Sequence, residues 1–311
     1  MPRNQEFFWP FFRKSSPDAS GEYVADIGHE SLARFVRVRL DGHECLHFRE
    51  CRVFGEKPDA ATRARLIDVD ARALRIRRAV PEGRKGRVIR FGGFDVFIDE
   101  ENYSEDIRLA MTSGEYENRE RRLVREFVAP GDRVLEVGGA IGVVAMTAAS
   151  IVGSENVVTF DANPDIVADA KENFRRNDLG GVSARCGALV NRRKFQRDSF
   201  VAFFIRGSFW ASSLKGPRHA PGVEKVVEIP TFCLEDEIAR HRANVLICDI
   251  EGGEVDLLMD ADLTGIRLIL MEIHYFATGE KAADDMVRKL ILDGFTIDLV
   301  ASGGGVLALR R

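Results

Sequence analysis

The residues able to do chemistry cluster in four short stretches of this 311-residue chain, each just after a strand-like run. The first is Glu136-Val-Gly138-Gly139-Ala140-Ile-Gly142, a strand passing through a glycine turn into an apolar segment. Glycines let backbone come close to a ligand, and a following helix offers free N–H groups to an anion. The second is Asp161-Ala162, where a carboxylate can accept hydrogen bonds from both hydroxyls of a ribose. The third is Cys186-Gly187-Ala188, small residues past which a flat adenine could slide. The fourth is Asp249-Ile-Glu251-Gly-Gly-Glu254. Glu272 and His274 follow a fifth strand-like run.

The spacing of Gly138, Gly139 and Gly142 is not the G-x-G-x-x-G of a dinucleotide site, and no Gly-Lys-Ser/Thr follows to make a phosphate-cradling loop. A cofactor with a ribose and no phosphate fits better, which selects S-adenosylmethionine. Its carboxylate can use the loop amides, and its sulfonium tolerates an acidic rim. The expected cofactor residues are Glu136, Gly138, Gly139, Ala140, Gly142, Asp161, Ala162, Gly187, Ala188 and Asp249.

The elements that must position these residues can be read from periodicity. Glu117 to Val128 is predicted to be a helix, stopped by Pro130-Gly131. Strands are predicted at 133–137, 156–160, 182–185, 244–248 and 267–273. Helices are predicted from Ala140 to Val152, from Pro164 to Gly180, from Glu254 to Met259 and from Ala282 to Leu292. Residues 295–300 and 306–309 flank Gly303-Gly304-Gly305 and read as a hairpin. Strands alternating with helices mean an α/β fold with a Rossmann-like, doubly wound, mostly parallel sheet, here with an antiparallel C-terminal hairpin. Ligands of such sheets bind at the carboxyl ends of the strands.

The region before residue 86 reads differently. Ten Arg/Lys fall between residues 61 and 90, against Asp68, Asp70 and Glu82. Val36–Leu40 and Leu74–Arg77 alternate apolar and basic residues, as half-buried strands do. Residues 86–99 read as a strand pair turning at Gly92-Gly93. Residues 1–85 are expected to be a small N-terminal appendage for substrate or oligomer contact, and residues 86–311 the catalytic domain. His43, Cys45 and His47 would share one face of a strand, but lack the paired spacing of a zinc site. No metal is assigned, although Mg²⁺ held by the acids and His274 stays an alternative. The aromatic start, Phe7–Phe12, is read as a packing arm or a contact between copies.

Composition sets the outer bounds. Hydrophobic residues are 45% and charged residues 30%, the balance of a globular protein rather than a disordered chain. The net charge of -4 gives no global basicity, so a nucleic-acid partner is not expected. Five cysteines, an odd number, suit free thiols in a reducing, cytoplasmic setting. No apolar run is long enough for an integral membrane segment.

Several of these motifs together resemble the FkbM-type S-adenosylmethionine-dependent methyltransferases. Ser113-Gly-Glu-Tyr-Glu117 with Phe127-Val-Ala-Pro-Gly-Asp132 is similar to the family's lead-in. Val134–Gly142 resembles its D-V-G-A-N-I-G loop, with Glu136 for Asp and Ala140 for Asn. Thr159-Phe-Asp-Ala-Asn-Pro164 resembles F-E-P-N-P, and Leu246–Glu254 resembles K-I-D-V-E-G-x-E without the lysine. Leu270-Met-Glu-Ile-His274 is similar to the fifth strand. The likeness spans about residues 110–311. It implies a class I methyltransferase, acting commonly on a hydroxyl of a natural product or glycan.

A hydroxyl must lose its proton as it takes the methyl group. Asp249, Glu251, Glu272 and His274 are the candidates to accept it. His274 follows Glu272 by two residues, so on a strand the carboxylate would orient the imidazole, and Asp249 is the rival base. Glu251 and Glu254 have a blander reading as acids at a helix N-terminus. The expected reaction is O-methylation of a sugar or secondary metabolite. The alternative is an RNA methyltransferase using the arginine-rich stretch. A third reading is a decayed, non-enzymatic interaction subunit.

Overall fold

The computed structural model describes residues 80–206, 214 and 223–311. The expected strands at 36–40 and 74–77, the His43–Cys45–His47 trio, the aromatic start and most of the basic stretch lie outside the described residues.

A seven-stranded sheet carries the site. Its strands are β3 (Val134–Val137), β4 (Val157–Asp161), β5 (Ser183–Cys186), β9 (Val245–Cys248), β10 (Leu268–Glu272), β11 (Thr296–Ile297) and β12 (Val306–Arg310), in the order β11-β12-β10-β9-β3-β4-β5. Neighbours from β10 to β5 run parallel, while β12 lies antiparallel to both β10 and β11. The doubly wound sheet with a terminal antiparallel hairpin is therefore present.

Side chains on the central strands alternate between two cores, as a pleat of period two requires. Val134, Val245, Ile247, Leu268 and Leu270 face one layer. Leu135, Leu246, Cys248, Ile269 and Met271 face the other. The first layer is covered by α1 (Glu105–Ser113), α2 (Asn118–Phe127), α3 (Val143–Val152) and α4 (Pro164–Arg176), the second by α6 (Leu234–His241), α7 (Glu254–Leu258) and α9 (Glu280–Leu292), with α5 (Arg192–Phe195) a single turn before α6. Helix α3 is buried almost all round, as its unbroken apolar sequence demands. Helix α4 starts at Pro164, with the Asn163 side chain accepting from the Asp165 N–H.

Three boundaries differ from expectation for local reasons. Helix α3 begins at Val143, not Ala140, because Ala140 (φ 41°) and Gly142 (φ 85°) are left-handed and cannot continue a right-handed helix. Strand β11 is two residues long because the Asp298 carboxylate turns the chain by accepting the N–H groups of Val300 and Ala301. The third departure lies between the third and fourth stretches, where periodicity predicted no element. A second sheet, β6 (Ala188–Val190), β8 (Val223–Cys233) and β7 (Phe200–Arg206), is built there.

The hairpin expected at 86–99 is also present, as β1 (Gly86–Phe91) and β2 (Phe94–Asp99). Both turn residues, Gly92 and Gly93, have positive φ, as a two-residue hairpin turn requires. Its anchor is Asn173 of α4, which is fully buried. Asn173 Oδ1 accepts the Phe97 N–H (3.1 Å), and its amide donates to the Ile141 carbonyl (3.0 Å) inside the glycine loop. Arg84 adds ion pairs with Asp99 and Asp169. These acids hold its guanidinium pKa above the ordinary value.

Replacing Asn173 by Ala strands two buried backbone groups at once. The expected loss of stability is about 2–4 kcal/mol, read as a lower urea midpoint with an unchanged slope.

Candidate active site

The carboxyl ends of β3, β4, β9 and β10 open onto one cavity of about 550 Å³. Gly138, Ala140, Asp161, Ala162, Gly187, Ala188 and Asp249 line it, and so do Glu251, Glu272 and His274. Glu136, Gly139 and Gly142 do not line it. Glu136 is buried, and burial pushes its carboxyl up to about 7.

Backbone contacts set the shape of the loop. Gly138 and Gly139 N–H groups both donate to the Phe160 carbonyl (2.8 and 3.0 Å). The Asp249 N–H donates to the Val137 carbonyl at 2.9 Å. A β-carbon on Gly138 would lie 1.5 Å from the Asp249 carbonyl oxygen. Only glycine permits that approach, and it brings the first and fourth stretches together. At the end of β4, Asp161 Oδ2 accepts the Ala140 N–H (3.0 Å) and Oδ1 accepts the Asn163 N–H (2.8 Å). Burial raises the Asp161 pKa while these bonds lower it. Each oxygen keeps a second lone pair for another donor.

At the ends of β9 and β10, Asp249, Glu251 and His274 converge. His274 Nε2 lies 3.2 Å from Glu251 Oε2 and 3.8 Å from Asp249 Oδ1. His274 caps the short helix α8 (Tyr275–Thr278) rather than extending β10. The group that holds its ring is not Glu272. His274 Nδ1–H donates to Glu254 Oε1 at 2.8 Å, and that carboxylate is fully buried and also accepts the Gly252 N–H. Burial works against the imidazolium, but Glu254, Glu251 and Asp249 outweigh it and raise the His274 pKa to about 9. Burial, with the neighbouring acids, pushes Asp249 well up and Glu251 to about 7.

The family model for the methyltransferase FkbM domain matches residues 136–296, just over half of the chain and all four stretches. The chain belongs to the FkbM methyltransferase family. A ribosomal protein L11 methyltransferase of Symbiobacterium thermophilum is 36% identical over 84 residues, 27% of each chain. The chain thus matches about a quarter of the length of that curated relative. Among solved structures, it is similar to a Bacillus cereus O-methyltransferase in complex with S-adenosylhomocysteine (13% identity, 82% of this chain and 92% of that one, TM-score 0.35). It is also similar to Trm5b of Pyrococcus abyssi (12% identity, 74% and 57%, TM-score 0.40).

The cofactor of this FkbM methyltransferase is S-adenosylmethionine, and the cavity fits it. Gly138, Ala140, Gly187 and Ala188 line the cavity beside Asp161, whose carboxylate oxygens accept the Ala140 and Asn163 N–H groups. Three further acids meet at the site although spacing alone gave them no role there. Glu117 and Glu120 line the same wall, and Glu254 holds His274. Glu117 was legible as part of the lead-in motif, but its place opposite Asp249 depends on how α2 packs. Glu254 read as a helix-end acid because sequence spacing gave no link to His274, twenty residues away.

Two outcomes are expected. Asp161→Ala should weaken binding of S-adenosylhomocysteine by about 1–3 kcal/mol, the worth of charge-assisted hydrogen bonds, measured by calorimetry. Ala140→Gly should raise the thermal midpoint, because a β-carbon in the left-handed region costs about 1–2 kcal/mol, an amount larger than the extra chain entropy of glycine.

Proposed function

We propose that this chain transfers the methyl group of S-adenosylmethionine to a hydroxyl of a small-molecule or glycan acceptor. The observation that carries the reading is the Asp249–Glu251–His274 cluster on the wall of the cofactor cavity. A neutral alcohol oxygen is a weak nucleophile until its proton has somewhere to go. When bound, S-adenosylmethionine supplies an electrophilic methyl group on a sulfonium. The chain's part is to hold the acceptor oxygen in line with that methyl and to take charge of its proton.

The surroundings of the cluster support the reading. Enzymes that methylate base or amide nitrogens often follow the fourth strand with Asn/Asp-Pro-Pro-Tyr/Phe, and here that place reads Asp249-Ile-Glu-Gly252. The same wall carries Glu115, Glu117, Glu120 and Glu272, opposed by Arg119. Carboxylates lining an entrance repel a phosphate backbone, whose binding normally depends on Lys and Arg. Glu254, bonded to Nδ1, leaves His274 Nε2 as the ring nitrogen that faces the other two acids.

Labelled methyl transfer, run over hydroxylated small molecules, glycans and RNA, tests the proposal. Turnover on hydroxylated acceptors without salt-dependent RNA binding is expected, and turnover on RNA alone overturns it. His274→Ala should cut turnover by about 10²–10⁴-fold with affinity for S-adenosylhomocysteine unchanged. Full turnover in that variant, with loss in Asp249→Asn, would put the proton on Asp249 instead.

A further inference from the structure

We infer that Asp249, Glu251 and His274 form a binding site for one divalent cation of the Mn²⁺ class, whose open positions face the cavity. The three side chains come from two separate strand ends, yet one donor atom of each lies within 4.8 Å of the others. Two ligands at neighbouring corners of an octahedron, each about 2.1 Å from the metal, lie about 3 Å apart. The 3.2 Å between His274 Nε2 and Glu251 Oε2 matches that spacing, and the 3.8 Å to Asp249 Oδ1 needs only a rotamer-scale adjustment.

Two further observations point to a ligand at this place. Asp249 Oδ1 is buried from solvent and has no hydrogen-bond partner, because His274 Nε2 is beyond hydrogen-bond reach. A buried carboxylate oxygen left in that state is costly unless a cation or donor meets it. The second observation is behind the imidazole. Fully buried Glu254 accepts the Nδ1–H hydrogen bond, so a cation at Nε2 has only the Nε2 proton to displace. A carboxylate behind a histidine is the usual outer support of a metal-bound imidazole. Two carboxylate oxygens and one imidazole nitrogen suit Mn²⁺ better than an all-oxygen Mg²⁺ site.

The charge count agrees. Asp249, Glu251 and Glu254 surround one imidazole, so a cation of charge two brings the first two acids and the metal to neutrality. Three ligands on one side leave the opposite positions to solvent and to an oxygen of the acceptor. The inference rests on the hydroxyl reading only for that last ligand. With the cation in place, His274 serves as a ligand rather than as the base, and the turnover lost in His274→Ala then reports the loss of that ligand.

The test is titration of Mn²⁺ into the full chain after dialysis against a chelator, followed by electron paramagnetic resonance. One bound Mn²⁺ is expected, with a nitrogen coupling that disappears in His274→Ala. Glu251→Gln, at a partly exposed position, should weaken binding at least tenfold while binding of S-adenosylhomocysteine persists as the folding control. No stoichiometric Mn²⁺, or binding that both variants leave unchanged, overturns the site. Failure of the hydroxyl reading would appear in the acceptor assay and leave this titration as it is, so the two are separable.

Discussion

The Asp249 carbonyl occupies the space that a β-carbon at position 138 would need, and the site is built outward from that contact. It ties the end of β3 to the end of β9, two neighbouring strands more than a hundred residues apart in sequence. The Asp249 N–H, bonded to the Val137 carbonyl, closes the same junction from the other side. With the backbones so close, the glycine loop and the acids after β9 share one cavity. The separation of the glycine loop from those acids is thereby set by backbone, which relaxes less than side chains do.

The second organising feature is a concentration of negative charge in a place that water reaches poorly. Burial alone would drive Asp249, Glu251, Glu117 and Glu120 toward their neutral forms, and their pKa values are raised accordingly. Each neighbouring acid adds to the effect. His274 opposes them, as Arg119 does beside Glu120, and the surrounding acids are why its imidazole holds a proton more tightly than a free histidine does. A positive charge placed among these acids relieves repulsion that the fold has already imposed.

Support for the loop comes from outside the central sheet. Asn173 links the Ile141 carbonyl to the β1–β2 hairpin, so the hairpin braces the cofactor loop through a single buried amide. On the other side, the second sheet supplies Ala188, Leu189 and Phe203 to the cavity wall. Gly187 makes the crossing from β5 to β6 against the Phe232 ring, where a β-carbon would lie 2.5 Å from a ring carbon. Among the described residues, Cys186, Cys233 and Cys248 are free thiols, and no helix is long and apolar enough to cross a membrane.

By itself the sequence determined the parallel sheet, its terminal hairpin and the four stretches at the strand ends. Those features are local: hydrophobic periodicity, proline and glycine punctuation, and acids placed directly after apolar runs. It did not determine the second sheet, since Phe200–Arg206 is a short apolar run with no alternation to mark its face. It placed the start of α3 three residues early, because nothing in the alanine at 140 announces a left-handed backbone that Asp161 holds through the Ala140 N–H. The partner of His274 was likewise decided only in three dimensions. Glu272, two residues away, is the neighbour that a strand would supply, but the chain leaves the strand before His274 and turns the ring toward Glu254. Spacing along a chain predicts neighbours only while one regular element continues, and the site begins where the strands end.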